Sequence, residues 1–376
     1  MADDMCILKT CNQWSQQSRA TDTTKFKATG SALLARWHSP YASDVSLEIH
    51  FTRAGIHLPQ LGLWLDARKR QRGSERVFVS HAHADHIAAH DEVMLTGATS
   101  LFMRTRLPGK RREHILNFGE RMEFQFEHES FHLTALPAGH ILGSAMAFIE
   151  WRGETLLYTG DFKLRPSLAA EPPETRRADT LIMETTFGLP RYQFPPGQTV
   201  RGDIAKFCRD ALADGETPVL YAYSLGKSQE ILRGLAEDGL PIQLHRHVRK
   251  MTKLYEKLGM NFPAHDAFDA ETARGKIIIA PPNSLKTMQK VSLGKIRTAA
   301  ITGWAMDSSC RYRSGTMEAF PLSDHADYDG LQELVKQVQP KKVFTVHGFT
   351  REFAQTLRAQ GVDAVAPGWH EQMALL

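Results

Sequence analysis

An α/β fold, laid out as one domain interrupted by a second, is what this chain predicts, and three observations predict it. Short runs rich in β-branched and aromatic residues recur from Val45 onward, separated by turn residues. After Pro190 such runs alternate with stretches of helical apolar spacing, the pattern of a parallel sheet with crossover helices. After Met317 a short strand, a helix and another strand follow, so the first architecture resumes once the alternation ends. A chain of 376 residues is long enough for one large or two medium domains, each with its own core.

Residues 1–45 show little periodicity and are rich in Ser, Thr, Gln and Ala, which reads as an extension with little structure. VSLEIHFT, AGIHL and LGLWLDA then read as strands. VFVS (77–80) is a short apolar strand running straight into HAHADH, and IAAHDEVM (87–94) reads as a helix that Asp85 and His86 begin. Further strand signals are HLTAL (132–136), AMAFIEW (145–151), TLLYTGD (155–161) and TLIMET (180–185). FPPGQ marks the crossing into the second architecture. DIAKFCRDALADG is a helix closed by Gly215, followed by strand TPVLYAYS, helix KSQEILRGLAEDG, strand PIQLH, helix HVRKMTKLYEKLG and strand KIIIAPP. Helix GLQELVKQV and strand KKVFTVHG belong to the resumed first domain. The boundaries expected are 1–45 for the extension, 46–194 and 317–376 for the interrupted domain, and 195–316 for the insertion.

Hydrophobic residues at 42% and charged residues at 23% are those of a soluble globular protein. No apolar run approaches the roughly 20 residues that cross a bilayer, and the N-terminus has no basic-then-apolar leader pattern. The scattered Cys6, Cys11, Cys208 and Cys310 predict neither disulfide nor metal site, which together with the missing leader points to the cytoplasm. The net charge of +4 is unevenly spread: 191–316 holds 19 Lys/Arg against 12 Asp/Glu. Within it Lys286, Lys290, Lys295, Arg297, Arg311 and Arg313 face one acid, Asp307. Alone this is a solvated face; beside a hydrolytic centre it favours a polyanion. Arg104, Arg106, Lys110, Arg111 and Arg112 form a second basic cluster.

Chemistry concentrates in SHAHADHIAAH. His81 and His83, alternating on a tight loop after a strand, let two imidazoles converge on one ion, while Asp85 and His86 can face a second. Zinc accepts imidazole nitrogen and carboxylate oxygen with positions left open for water. His140 in PAGHILGSA and Asp161 in LLYTGDF stand at later strand ends. A bridging Asp161 would hold two ions roughly 3.5–4 Å apart. His90, one turn after His86, reads as a histidine on the helix surface or behind the ligands.

The series HAHADH, PAGH and TGD, preceded by strand-end Asp66 in LWLDA, resembles the motifs of the metallo-β-lactamase superfamily. That resemblance implies an αβ/βα sandwich with two divalent ions at one edge, zinc first and Mn²⁺ as the alternative. METTFG with Glu184, a long insertion, LSDHAD with His325 and TVHG with His347 resemble the β-CASP branch, whose nucleases carry an inserted α/β cap domain. The likeness runs from about residue 48 to the C-terminus. It implies that His81, His83 and His140 bind the first ion, Asp85 and His86 the second, that Asp161 bridges, and that His347 completes the second site. Asp85 also counts among the catalytic groups. His325 would be the acid for the leaving group, oriented by Glu184, and Asp66 would support the histidine loop through hydrogen bonds. TTFGLPRYQFPP, YAYSLGKSQEIL, IIIAPP, LSDHADYDGL and VHGFT are similar to a bacterial group described as DNA-ligase-associated exonucleases, also likened to mRNA 3′-end processing factors. In that comparison Ser224 and Lys227 lie near the substrate phosphate, on a Gly-containing turn at a helix start. The basic run before LSDHAD is thinner here than in that group, and residues 1–45 have no counterpart in it.

The function implied is a metal-dependent nuclease, exonucleolytic, acting in DNA repair or RNA processing, with nucleic acid as partner and a DNA ligase or helicase of the same pathway beside it. His347 leans towards RNA and the ligase-associated likeness towards DNA. Two other classes compete. A small-molecule metallohydrolase for thioesters or lactams would not need the inserted domain or the His325–Glu184 pair. A silent nucleic-acid-binding relative would have lost ligand positions, and here all are filled.

Overall fold

The computed structural model describes residues 46–288 and 293–367. The extension over 1–45, with Cys6 and Cys11, and Lys290 of the basic stretch lie outside these residues. The described residues from Glu48 onward form one compact unit built on three sheets.

The first sheet has 6 strands lying side by side in chain order: His50–Thr52, Gly55–Leu58, Leu63–Leu65, Arg76–Phe78, Glu92–Thr96 and Arg112–Leu116. Its first three strands are antiparallel and the rest parallel. Here the structure corrects the helix expected over 87–94. Residues 81–86 form an irregular loop, and Glu92–Thr96 is a strand whose Val93, Met94 and Leu95 are fully buried. A short apolar run reads equally as helix or strand, and the lateral pairing with Arg76–Phe78 decides for strand. The helix starts later, at Gly97–Arg106, where the Thr96 hydroxyl accepts the Thr99 N–H at 3.2 Å.

The second sheet has 7 strands in the order Ala364–Val365, Lys342–Gly348, Thr180–Thr185, Glu154–Tyr158, Ala145–Trp151, Glu129–Pro137 and Arg121–Phe126. Helices Tyr328–Val338 and Thr350–Ala359 pack Leu331, Leu334, Phe353 and Leu357 against Leu136, Met146, Leu157, Leu181 and Met183. Thr180–Thr185 is buried on both faces, which is why TLIMET shows no alternation.

The third sheet, also of 6 strands, is parallel throughout, as strand–helix alternation requires. Its order is Asp266–Ala267, Ile242–Leu244, Ile277–Ala280, Thr217–Tyr221, Ile296–Ile301 and Glu318–Phe320. The expected boundary at residue 316 falls one strand early: Glu318–Phe320 pairs with Ile296–Ile301 and closes the insertion. Helix Arg246–Lys257 sends Met251 and Tyr255 into the core of the first sheet, where the Tyr255 and Phe102 rings lie 5.2 Å apart.

Three of the six basic residues of that stretch pair with acids of the insertion. Lys295 pairs with Glu216, Arg297 bridges Glu216 and Asp214 at 2.5 and 2.6 Å, and Arg313 lies 3.4 Å from Asp307. In the other cluster Arg104 and Arg111 share Glu113. Arg106 and Lys110 stay exposed. Among the described residues no helix is long and apolar enough to cross a membrane.

Candidate metal centre

Strand ends deliver the polar side chains to one rim, because a residue past the last ladder bond is free to turn its side chain out of the pleat. Asp66 follows Leu63–Leu65 directly, and His81, His140 and Asp161 each stand three residues past the ends of Arg76–Phe78, Glu129–Pro137 and Glu154–Tyr158. Glu184 and His347 lie within the adjacent strands Thr180–Thr185 and Lys342–Gly348.

Three imidazoles meet there. His83 Nδ1 lies 3.1 Å from His81 Nε2 and 3.1 Å from His140 Nε2. Asp161 Oδ2 lies 3.5 Å from His81 Nε2 and 3.9 Å from His140 Nε2. The outer ring nitrogens show what these inner atoms carry. His140 Nδ1 donates to the Asp324 carbonyl at 2.8 Å and His83 Nε2 to the Leu225 carbonyl at 3.1 Å. Ser80 Oγ gives its proton to Asp66 Oδ2 at 2.5 Å, so it accepts from His81 Nδ1 at 2.9 Å. A neutral imidazole has one N–H. With each spent outward, three lone pairs and a carboxylate oxygen converge, which is unfavourable without a cation and suits tetrahedral zinc. Burial keeps His81, His83 and His140 below the ordinary imidazole value, His140 at about 3, so all three are neutral at pH 7 and could hold an ion.

Asp66 organises the loop without reaching this point. It has a left-handed backbone, φ 45°, a conformation that Asp tolerates better than most. Oδ1 accepts the Ser80 N–H at 2.7 Å; Oδ2 accepts the Tyr158 hydroxyl and the His86 Nδ1–H, each at 2.8 Å. His86 Nε2 faces Asp161 Oδ2 at 3.4 Å and Asp85 Oδ2 at 3.6 Å. Burial opposes a charge on this ring, but Asp161, Asp66 and Asp85 hold it well above the ordinary imidazole value, so Nε2 must give up its proton to serve as a ligand. These three residues face one another and could hold a second ion, sharing Asp161 with the first set. His347 lies farther out, its ring centroid 5.8 Å from that of His86, with the Arg68 guanidinium 3.0 Å from its Nδ1.

Beside the centre stands a carboxylate–histidine pair. His325 Nδ1 lies 2.9 and 3.0 Å from the two oxygens of Glu184, which is 1% exposed. Glu184 is fixed in turn by the Phe162 N–H at 2.9 Å and by the Thr186 hydroxyl. Burial opposes a charge on His325, but Glu184 and then Asp161 outweigh it and raise the imidazolium to about 10. A cation on the neighbouring ligands would draw that value back towards neutrality.

The inserted domain meets the centre through one turn. Gly226 has φ 92°, and a Cβ there would come within 2.3 Å of Ile141 Cγ2, so only glycine lets the turn approach the His140 loop. Lys227 departs from its expected place at a substrate phosphate. Its ammonium is 2.5 Å from Asp324 Oδ1 and the side chain is 2% exposed, so it serves Asp324 and not solvent. Ser224 is half-buried, and its carbonyl accepts from the Gln229 amide. His90 is buried, its Nδ1 accepting the Gln71 N–H, away from the ligand sets.

The Lys227–Asp324 pair carries a prediction on stability. Lys227→Met leaves a buried carboxylate with one oxygen already unpartnered, so unfolding should lose about 3–5 kcal/mol. Urea denaturation checks this, and adding Asp324→Asn should recover part of the loss because the stranded charge is gone.

Arg68, Ser80 and Tyr158 are structural partners that sequence reasoning missed. Each sits inside or beside a motif that it did find: Arg68 two residues past Asp66, Ser80 just before His81, Tyr158 in the LLYTGD run.

Comparison with known proteins bears on the same regions. Residues 54–235 match the family described as metallo-beta-lactamase superfamily, and residues 313–367 match the Zn-dependent metallo-hydrolase RNA specificity domain. The chain is similar to a Probable DNA ligase of Opitutus terrae, 50% identical over 85% of this chain and 31% of that protein. RNase aCSPSF2 of Saccharolobus solfataricus is 25% identical over 79% of this chain and 74% of its own. The 5' exonuclease Apollo of Gallus gallus is 24% identical over 74% and 60% respectively. The chain thus spans just under a third of the ligase-named relative, at 31%.

Proposed function

This chain belongs to the metallo-β-lactamase superfamily, in its β-CASP nuclease family, and from that premise we propose that it hydrolyses phosphodiester bonds in nucleic acid. The observation that carries the reading is the His325–Glu184 pair at 2.9 Å, next to the three-imidazole site yet outside its ligand set. The departing alkoxide of a phosphodiester needs a proton, whereas the thiolate of a thioester leaves without one; a held imidazolium therefore fits the first substrate.

A divalent ion, zinc by the donor set, supplies Lewis acidity and lowers the pKa of bound water. His81, His83 and His140 would hold it, with Asp161 turned to both ligand sets. Asp66 keeps the loop's imidazoles in the ligating tautomer, through Ser80 for His81 and directly for His86. Glu184 holds His325 by Nδ1, so that Nε2 carries the proton given to the leaving oxygen.

DNA is the strand we assign, with removal of nucleotides from an end. The support is the 50% identity over 85% of this chain to a protein named as a ligase, which makes a DNA ligase the partner class of choice. RNA is the second reading, favoured by the match of residues 313–367 to a domain described by RNA specificity. End-labelled single-stranded DNA and RNA, each with Zn²⁺ or Mn²⁺, separate the two. The expected result is a ladder of shortened DNA from one end. Cleavage of RNA alone would move the assignment, and turnover of a thioester with neither strand cut would reject the nuclease.

A further inference from the structure

We infer that Arg68 limits this chain to one tightly held zinc by keeping His347 out of the second ligand set. Arg68 lies two residues past strand-end Asp66, and its Nη2 is 3.0 Å from His347 Nδ1. A guanidinium has only N–H donors, so the nitrogen it touches must present a lone pair. In a neutral imidazole that puts the single N–H on Nε2, which then has no lone pair for an ion.

The His347 ring centroid lies 5.8 Å from that of His86, against 4.1 Å for His81. Among the described residues the first set, His81, His83, His140 and Asp161, has its ligand atoms within 4.8 Å of one another, whereas neither Asp85 nor His347 falls in such a group. Its backbone is pinned: φ is 58°, the Thr185 hydroxyl donates to its carbonyl at 2.6 Å, and a Cβ on Gly348 would come within 2.4 Å of Thr185 O. With the main chain held, the ring's outer contact decides whether it turns to the ions, and that contact is Arg68.

The two sites therefore differ in strength. The first has three imidazoles, each locked by an outward hydrogen bond, plus Asp161. The second keeps Asp85, His86 and the shared Asp161, and its fourth ligand is withheld. Arg68 also adds a fixed positive charge on that side, which repels a second cation and stands in for part of its charge.

This rests on the metal-centre reading and not on nucleic-acid cleavage, since counting zinc needs no substrate. The protein is loaded with excess Zn²⁺, dialysed against a weak chelator, and its metal measured by plasma mass spectrometry. One zinc per chain is expected for the unaltered protein, two for Arg68→Ala, and one again for Arg68→Ala combined with His347→Ala. Calorimetric titration of the unaltered protein with zinc gives the same answer without any variant. Two steps are expected, the second weaker by about 10–100-fold, the range for changes in a ligand's outer partner. Two zincs of equal affinity, or an Arg68→Ala protein still holding one, would overturn the inference. No retained zinc would overturn the metal centre as well.

Discussion

Asp161→Asn should slow phosphodiester cleavage by on the order of 10³-fold, the scale set by loss of one preorganised charge at a reacting centre. Asp161 faces both ligand sets, 3.5 Å from His81 Nε2 and 3.4 Å from His86 Nε2. The amide keeps one oxygen but removes the negative charge, and its NH₂ would compete with an ion for the His81 Nε2 lone pair. Burial works against the Asp161 charge; His86 and then His325 more than compensate and hold the carboxyl well below the usual range. The group is therefore anionic at neutral pH. Single-turnover cleavage under saturating zinc measures the effect. A loss of less than tenfold would mean that Asp161 does not sit between the ions.

His325→Ala should cost about 10²–10⁴-fold on nucleic acid, the range for a lost general acid. A purely structural role would lower the rate on every substrate alike. A nitrophenyl phosphodiester separates the two cases, because nitrophenolate departs without a proton and should lose far less. Glu184→Gln tests the same pair through pH. The Glu184 carboxylate raises the His325 imidazolium, so removing its charge lowers that value. The protonated form is the active one for an acid, so the alkaline limb of the rate profile should move to lower pH. A limb that stays in place would assign the proton to another group.

Legibility of the site in the sequence followed distance along the chain. His81, His83, Asp85 and His86 fall within six positions, so their convergence is nearly a local property, and the structure places all four around Asp161 and His140 or beside them. His325 and Glu184 are 141 positions apart and are joined only by the packing of the sheet against the loop before Tyr328–Val338. Their pairing was readable only through the family likeness. Lys227 shows the opposite failure: a lysine at a glycine turn looks like an anion contact, but the partner that claims it, Asp324, lies 97 positions away. The run 87–94 reads as helix because so short an apolar pattern carries no decisive period, and only pairing with the neighbouring strand makes its end, from Glu92, β. The parallel insertion was the easiest part, since alternation along the chain states its topology directly. Its far edge was missed by one strand because Glu318–Phe320 is too short and too exposed to announce its sheet.

X-ray absorption at the zinc edge, on protein carrying one equivalent of metal, tests the account at its root. Nitrogen and oxygen neighbours at about 2.0–2.1 Å, with the outer-shell scattering of three imidazoles, are the predicted result, and His83→Ala should remove one of the three. A sulfur shell near 2.3 Å, or a spectrum that His83→Ala leaves unchanged, would contradict it.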